Sequence, residues 1–186
     1  MVGTLAAAGA RNAACRRPVV GRMSDDVPAG FAPLARTSPF LDLTGPFFSR
    51  RDDAALCVAF RVAPQHVNGR GFAHGGVLAT LADVALGYAA AFSVDPPAAL
   101  LTTHLDADFA GAARIGDWVE ARVDVQHVGS RLAFANAYLC VGNRRIVRAS
   151  AVFAREPATV LPGDQPSKNT SRASTPDGPI SSTAKE

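Results

Sequence analysis

Hydrophobic and polar residues alternate along several stretches of the chain, and alternation of this kind predicts half-buried β-strands. Gly129-Ser130 and Gly142-Asn143 are suited to tight hairpin turns, because glycine supplies the positive φ that such turns need. These two turns join the last three strands into an antiparallel meander. The five predicted strands cover residues 55–62, 101–109, 119–126, 132–141 and 146–153. Within 101–109, strict alternation places Thr103 and Leu105 on one face and Thr102 on the other.

The longest apolar stretch, residues 77–92, predicts a helix that begins near His74-Gly75-Gly76, with Gly87 as its one poor helix former. This stretch is shorter than the roughly 20 residues of a membrane span and carries Asp83, so no membrane association is expected. Because the helix is apolar nearly all round, other elements should wrap it. The sequence therefore predicts an α+β domain, in which one antiparallel five-stranded sheet wraps around a long central helix.

The two ends of the chain differ in composition from its middle. Residues 1–22 are rich in alanine and arginine and contain no acid, which is typical of a targeting segment or of sequence preceding a true start at Met23. Prolines between 28 and 46 favour short helical turns and loops. From residue 156 to 186 the chain is rich in Pro, Ser, Thr and Lys, which predicts a disordered tail. We expect one domain over residues 23–155, with a disordered or non-native extension over 1–22.

Charge and cysteine content exclude several functional classes. The formal net charge is only +3, which provides no basic face for nucleic acid. The three cysteines show no close pairing, which argues against a disulfide framework and favours a reducing, cytoplasmic location. The histidines and cysteines show no metal-ligand spacing, so no metal is expected.

Asp83 is the residue that most needs an explanation. It lies within the apolar helix, where burial of an unpaired charge costs several kcal/mol, and its helical neighbours Ala79, Thr80, Leu86 and Gly87 include no cation. One interpretation is a hydrogen-bonded core residue. The other is a catalytic carboxylate that acts as general base or nucleophile.

The helix start supplies candidate partners for such a carboxylate. Gly75 and Gly76 present bare backbone N–H groups at the positive end of the helix dipole, which suits a developing oxyanion, although close packing alone could explain them. Asn68 could donate its amide or serve as a turn residue, and His74 could position substrate or orient the loop. Asp83 lies roughly 13 Å along the axis from His74, so a site assembled from two subunits would bring the groups together.

The segment from Asn68 to Asp83, which contains His74-Gly75-Gly76, resembles the signature of the hotdog-fold thioesterases, in the phenylacetate-pathway (PaaI-like) subgroup. The resemblance covers about residues 30–155, because residues 102–109 and Gly116-Asp117 also match that family. It implies a hotdog fold whose dimer joins two sheets edge to edge, commonly paired again into a homotetramer. It also implies acyl-CoA substrates, with no metal and no cofactor, since CoA is part of the substrate.

The resemblance also implies roles for particular residues. Gly75 N–H and Asn68 polarise the thioester carbonyl, and Asp83 of the facing subunit activates water or attacks directly. Thr102 matches an assisting hydroxyl residue, although Thr103 would fit with a shift of one position. Arg131 and Arg114 could contact CoA phosphates or be solvated surface charges.

The expected function is therefore hydrolysis of an acyl-CoA thioester. The alternatives are a non-catalytic acyl-CoA-binding or sensing module on the same scaffold, and a structural subunit of a larger complex. The Asp-x-Asn-Pro-x-His-type pattern of hotdog hydratases does not occur in the sequence, which argues against enoyl-CoA hydration.

Overall fold

The computed structural model describes residues 27–52 and 55–156. The predicted extension at 1–22, and the predicted tail beyond residue 156, lie outside the described residues, so the proposed domain boundaries stay a prediction. No helix within the described residues combines the length and the apolar character needed to cross a membrane.

The described residues form seven strands, two helices and one short 3-10 turn, Pro64–His66. The helices are α1 (Pro39–Thr44) and α2 (Gly75–Ala91). The strands are β1 (Ala32–Pro33), β2 (Phe47–Asp52), β3 (Ala55–Arg61), β4 (Leu100–Phe109), β5 (Trp118–Val128), β6 (Leu132–Val141) and β7 (Arg144–Arg155). They make one antiparallel sheet in the order β1-β2-β3-β5-β6-β7-β4, with α2 packed across it. This is the hotdog arrangement.

The expectation of five strands is wrong by two, because β1 and β2 precede those predicted. β2 has the sequence Phe-Phe-Ser-Arg-Arg-Asp, which shows no alternation, and it forms by pairing residue for residue with β3. The pattern of residues along one strand carries no information about such pairing. Short helical structure was predicted correctly between the prolines: Pro39 begins α1, and the Ser38 hydroxyl accepts a hydrogen bond from Leu41 N–H at 3.3 Å.

Helix α2 is buried on the side that faces the sheet and half-buried on the other. The buried side includes Leu81, Ala82 and Leu86, none of which is measurably exposed. The opposite side is only half-buried, so the prediction of a helix wrapped all round is wrong within one chain. Its members are Ala79, Thr80, Asp83, Val84, Gly87, Tyr88 and Ala91.

Strand β4 lies at the edge of the sheet and contains a β-bulge between Thr102 and His104. Thr102 pairs with the buried Phe153, so the bulge turns Thr102 toward α2, on the same side as Leu105. The strict alternation predicted for this strand, with Thr103 and Leu105 together, is therefore wrong. One inserted residue reverses which side chains face inward.

Candidate active site

Asp83 lies on the half-buried side of α2 and accepts a hydrogen bond from a threonine of β4. Thr102 Oγ1 donates to Asp83 Oδ1 at 2.9 Å. The hydroxyl of Thr103 instead donates to the Val152 carbonyl at 2.9 Å, so of the two candidate hydroxyls it is Thr102 that contacts Asp83. No ion pair involving Asp83 is recorded within residues 27–52 and 55–156, which leaves its second oxygen, Oδ2, available.

Asp83 stands between two surface grooves that run in opposite directions along α2. The first has a volume of about 430 Å³ and extends toward the helix start, past Thr80 and Gly76. The second has a volume of about 370 Å³ and extends toward the helix end, past Gly87 and Phe92. A small molecule bound in either groove would therefore reach the carboxylate.

The start of α2 presents one backbone donor that nothing in the described chain uses. His74 is the N-cap residue, and its Nδ1 accepts from Gly76 N–H at 3.0 Å. The side chain of His74 therefore holds the helix start, and Gly76 N–H is occupied. Gly75 N–H has no recorded acceptor among the described residues, and a Cβ at Gly75 would stand 3.6 Å from the Phe109 ring.

Asn68 holds its loop with one end of its side chain and presents the other. Its Oδ1 accepts from the backbone N–H groups of Arg70 at 2.9 Å and Phe72 at 3.3 Å. This network assigns the amide orientation and leaves Nδ2 as the free donor. The turn interpretation and the donor interpretation of Asn68 are therefore compatible.

The two arginines proposed as phosphate contacts lie at opposite ends of the sheet. The Arg114 guanidinium stacks 4.4 Å from the centre of the Phe72 ring, within the loop that carries Asn68. Arg131 lies in the β5–β6 turn, where its carbonyl accepts from Arg155 N–H at 2.8 Å. Only Arg114 accompanies the candidate oxyanion donors in the same chain.

Within one chain the carboxylate and the amide donors do not meet. Gly75 packs near Phe109, at the end of β4, whereas Asp83 contacts Thr102, near its beginning. Eight residues of helix separate Gly75 from Asp83 by about 12 Å. A single reacting carbonyl cannot touch both groups of the same chain.

His66 is a buried residue that sequence reasoning weighed only as a possible metal ligand. The residue is 4% exposed, and its Nδ1 accepts from Ala63 N–H at 2.9 Å. Its carbonyl accepts from His74 N–H at 2.8 Å, which ties the helix cap to the 3-10 turn. Burial lowers the pKa of His66 below its usual 6.5, and nearby backbone groups partly offset this effect. Neither periodicity nor motif spacing distinguishes this histidine from an exposed one.

No three His, Cys, Asp or Glu side chains in the described part of the chain converge to form a metal site. A helix carboxylate held by a hydroxyl, and amide donors at the helix start, are groups that acyl transfer to water can use.

Comparisons with known proteins agree with this chemistry. Residues 70–147 match the Thioesterase superfamily. The chain is 54% identical over 129 residues to the Pseudomonas aeruginosa protein named "Putative esterase PA0474", with 69% of this chain and 96% of that protein covered. The chain belongs to the thioesterase superfamily.

Solved structures share the fold. A variant of the phenylacetic acid degradation protein PaaI from Thermus thermophilus is 26% identical, with a TM-score of 0.54, over 64% of this chain and all of that one. The BH2602 protein from Bacillus halodurans, solved with CoA, is 19% identical, with a TM-score of 0.54, over 60% of this chain and 74% of that one. The predicted resemblance to hotdog thioesterases is confirmed.

Proposed function

We propose that this protein hydrolyses acyl-CoA thioesters and that Asp83 is its catalytic carboxylate. The observation that carries the proposal is the pairing of Asp83 with the Thr102 hydroxyl, without a recorded cation, at the junction of two grooves. Membership of the thioesterase superfamily supports a thioester as the bond that is cleaved. The CoA bound in the Bacillus halodurans structure supports CoA as the thiol part of the substrate.

We further propose that the working site combines Asp83 of one subunit with Gly75 of another. β4 is an edge strand, and an edge strand can pair with a second copy of itself. If two β4 strands pair antiparallel with Asp106 opposite Asp106, Leu105 lies opposite Ala107 and, because the bulge adds one residue, Phe109 of each copy lies opposite Thr102 of the other. The Gly75 beside that Phe109 would then approach Asp83 of the other subunit, and a dimer would be the smallest active unit.

In the proposed mechanism Asp83 acts as a general base. Its free oxygen takes a proton from water while the water oxygen bonds to the thioester carbonyl carbon. The negative charge that develops on the carbonyl oxygen is stabilised by Gly75 N–H and Asn68 Nδ2. The C–S bond then breaks, the electron pair leaves with sulfur, and Asp83 returns its proton to the CoA thiolate. Arg114, which stacks on Phe72 of the loop that carries Asn68, is the arginine proposed to meet the CoA phosphates, whereas Arg131 is not assigned to this contact.

The first test measures CoA release from acyl-CoA by the wild-type protein and three variants. Asp83→Asn should lower kcat by about 100-fold or more. Gly75→Pro removes the N–H donor but suits the first helical position, and the extended ψ of 139° at His74 suits a residue before proline. Gly75→Ala keeps the donor and serves as the matched control. Equal losses in the proline and alanine variants would contradict the donor role of Gly75.

The second test mixes Asp83→Asn subunits with Gly75→Pro subunits after dissociation and reassociation. Random mixing should restore about one quarter of the wild-type rate, because half the dimers are mixed and each has one intact composite site. If the site lay within one chain, the mixture would stay inactive.

Direct attack by Asp83 would differ from general-base catalysis by placing ¹⁸O from labelled water into the Asp83 carboxylate.

A further inference from the structure

His66 is buried at the base of the loop that carries both proposed oxyanion donors. Asn68 follows His66 by two residues. Gly75 directly follows His74, whose N–H donates to the His66 carbonyl at 2.8 Å. We propose that His66 is a positioning residue, which sets the place of the Asn68 amide relative to Gly75 N–H without touching the substrate. This inference rests on the proposed function and adds a residue that the proposed mechanism does not use.

Residues 66–74 form a small hairpin with two arms that differ in how they are held. Near the tip of the hairpin, Asn68 N–H donates to the Phe72 carbonyl at 2.8 Å and joins the arms. The second arm is tied to the connection between β4 and β5, because Ala73 N–H donates to the Ala113 carbonyl at 2.8 Å. No backbone hydrogen bond recorded among the described residues ties the first arm, which carries Asn68, to another strand or helix. The first arm therefore depends on its side chains and on the turn before it.

The ring of His66 anchors this turn. Its Nδ1 accepts from Ala63 N–H at 2.9 Å, and His66 N–H donates back to the Ala63 carbonyl at 2.9 Å. The ring also packs edge to face against Phe60 of β3, with ring centres 5.0 Å apart. Because a hydrogen bond and an aromatic contact hold the same buried ring, they fix the point from which the first arm starts.

A purely stabilising role explains this histidine poorly. Nδ1 accepts a hydrogen bond, which assigns the proton of the neutral ring to Nε2. Burial lowers the pKa of the ring, and the backbone groups of Gly45 and Thr44 partly offset this shift, yet Nε2 completes no hydrogen bond within the described residues. A buried donor without an acceptor lowers stability, whereas an apolar residue would leave no such donor. What an apolar residue could not provide is the acceptor for Ala63 N–H.

The place of an oxyanion donor affects kcat more than it affects substrate binding. Such donors act when they lie about 2.7–3.1 Å from the oxygen that becomes charged, and this charge develops in the transition state. His66 lines neither of the grooves beside Asp83, so it does not meet a molecule bound there. Loss of its anchoring should therefore lower kcat and leave KM nearly unchanged.

The experiment compares His66→Leu with His66→Asn on acetyl-CoA, octanoyl-CoA and phenylacetyl-CoA. The two side chains have the same branched shape and both lose the ring contact with Phe60, but only asparagine can accept from Ala63 N–H. On the best of the three substrates, His66→Leu should lower kcat about tenfold or more and change KM less than about threefold. His66→Asn should keep most of the kcat, although its Tm also falls. Equal kcat values in the two variants, or losses of kcat that simply follow Tm, would overturn the proposal. If leucine does not fold, His66→Ala also lacks the acceptor and replaces it.

A comparison of double variants tests whether His66 acts through Asn68. In the Asn68→Asp protein the donor is already absent, so adding His66→Leu should lower kcat by less than about threefold. Thr102→Val is the matched background, because it acts on Asp83 and leaves the Asn68 donor in place. Adding His66→Leu there should lower kcat by the same factor as in the wild type. Equal losses in the two backgrounds would show that His66 does not act through Asn68.

Hydrogen exchange separates this inference from the proposed function, because it needs no turnover. The backbone N–H groups of Asn68 and His74 should exchange about tenfold faster or more in His66→Leu than in His66→Asn, whereas those of β6 should exchange alike in both. If the wild-type protein released CoA from none of the three substrates but this difference persisted, hydrolysis would be disproved and the anchoring by His66 would stand. If CoA were released but exchange and kcat were the same in both variants, the inference would fail and hydrolysis would stand.

Discussion

The Thr102 hydroxyl donates to Asp83 Oδ1 at 2.9 Å, across the gap between the edge strand and the central helix. A hydrogen bond to a charged acceptor contributes more than one between neutral groups. It fixes the plane of the carboxylate and leaves the second oxygen to face the grooves. Thr102 is therefore the residue that orients the proposed base.

Replacement of Thr102 by valine should remove this orientation without a change in side-chain volume. We expect Thr102→Val to lower kcat by about tenfold, which corresponds to about 1.4 kcal/mol of barrier, and to affect KM less. Thr102→Ser keeps the hydroxyl and should retain most of the activity. Thr103→Val is the matched control, because its hydroxyl bonds to Val152 on the neighbouring strand. Steady-state kinetics on the three variants would reject this role if Thr103→Val were the more impaired.

The sequence singles out Asp83 and Thr102 as candidates, but it does not predict correctly which side of its strand Thr102 faces. Asp83 stood out because burying an isolated carboxylate in an apolar helix costs several kcal/mol. The structure places it where the two grooves meet. The side that Thr102 faces could not be predicted, since the bulge arises from pairing with β7. Bulges depend on the partner strand, which single-strand periodicity does not register.

The same limit explains the differences in the fold. The long alternating strands and the central helix were predicted from local pattern, because one-sided burial leaves a clear period in the sequence. β2 was missed because its residues form a strand only through pairing with β3. The half-buried side of α2 could not be predicted either, because apolar side chains on a half-buried surface look like core residues in one sequence.

Asn68 allows the loop-holding role and the donor role to be tested separately. Asn68→Asp keeps an oxygen to accept from Arg70 and Phe72 N–H and removes the Nδ2 donor. We expect it to lower kcat by about 100-fold with little change in Tm, since one oxyanion donor is lost. Asn68→Ala should lower both kcat and Tm, because the loop loses its internal acceptor. A fully active Asn68→Asp protein would exclude Asn68 Nδ2 from the oxyanion site.

His74 provides a test of capping against substrate contact. His74→Ala should destabilise the protein by about 1 kcal/mol, because Gly76 N–H loses its acceptor at the helix start. His74→Asn can accept the same hydrogen bond and should restore most of the lost Tm. If His74 acts only as the cap, KM should recover together with Tm in the asparagine variant. Recovery of Tm without recovery of KM would instead show that the imidazole contacts the substrate.

His66 makes the stability of the protein depend on pH on the acid side of neutrality. Burial lowers the pKa of His66 in the folded state below the 6.5 of an ordinary histidine. Above pH 6.5 the ring is neutral in both the folded and the unfolded chain, so this group leaves stability unchanged there. As the pH falls below 6.5 the unfolded chain binds a proton first, and stability is lost until the lowered folded-state pKa is reached.

A non-titrating replacement isolates this contribution. His66→Asn offers an oxygen to accept from Ala63 N–H but fills less space beside the Phe60 ring, so its Tm should be lower than that of the wild type near pH 8. Its Tm should then fall less steeply than the wild-type Tm between about pH 7 and pH 5, because the proton uptake by His66 on unfolding is absent. Thermal melts across this range measure both effects. Parallel Tm curves for the two proteins would mean that His66 takes up its proton equally in both states, and the acid loss would then belong to other groups.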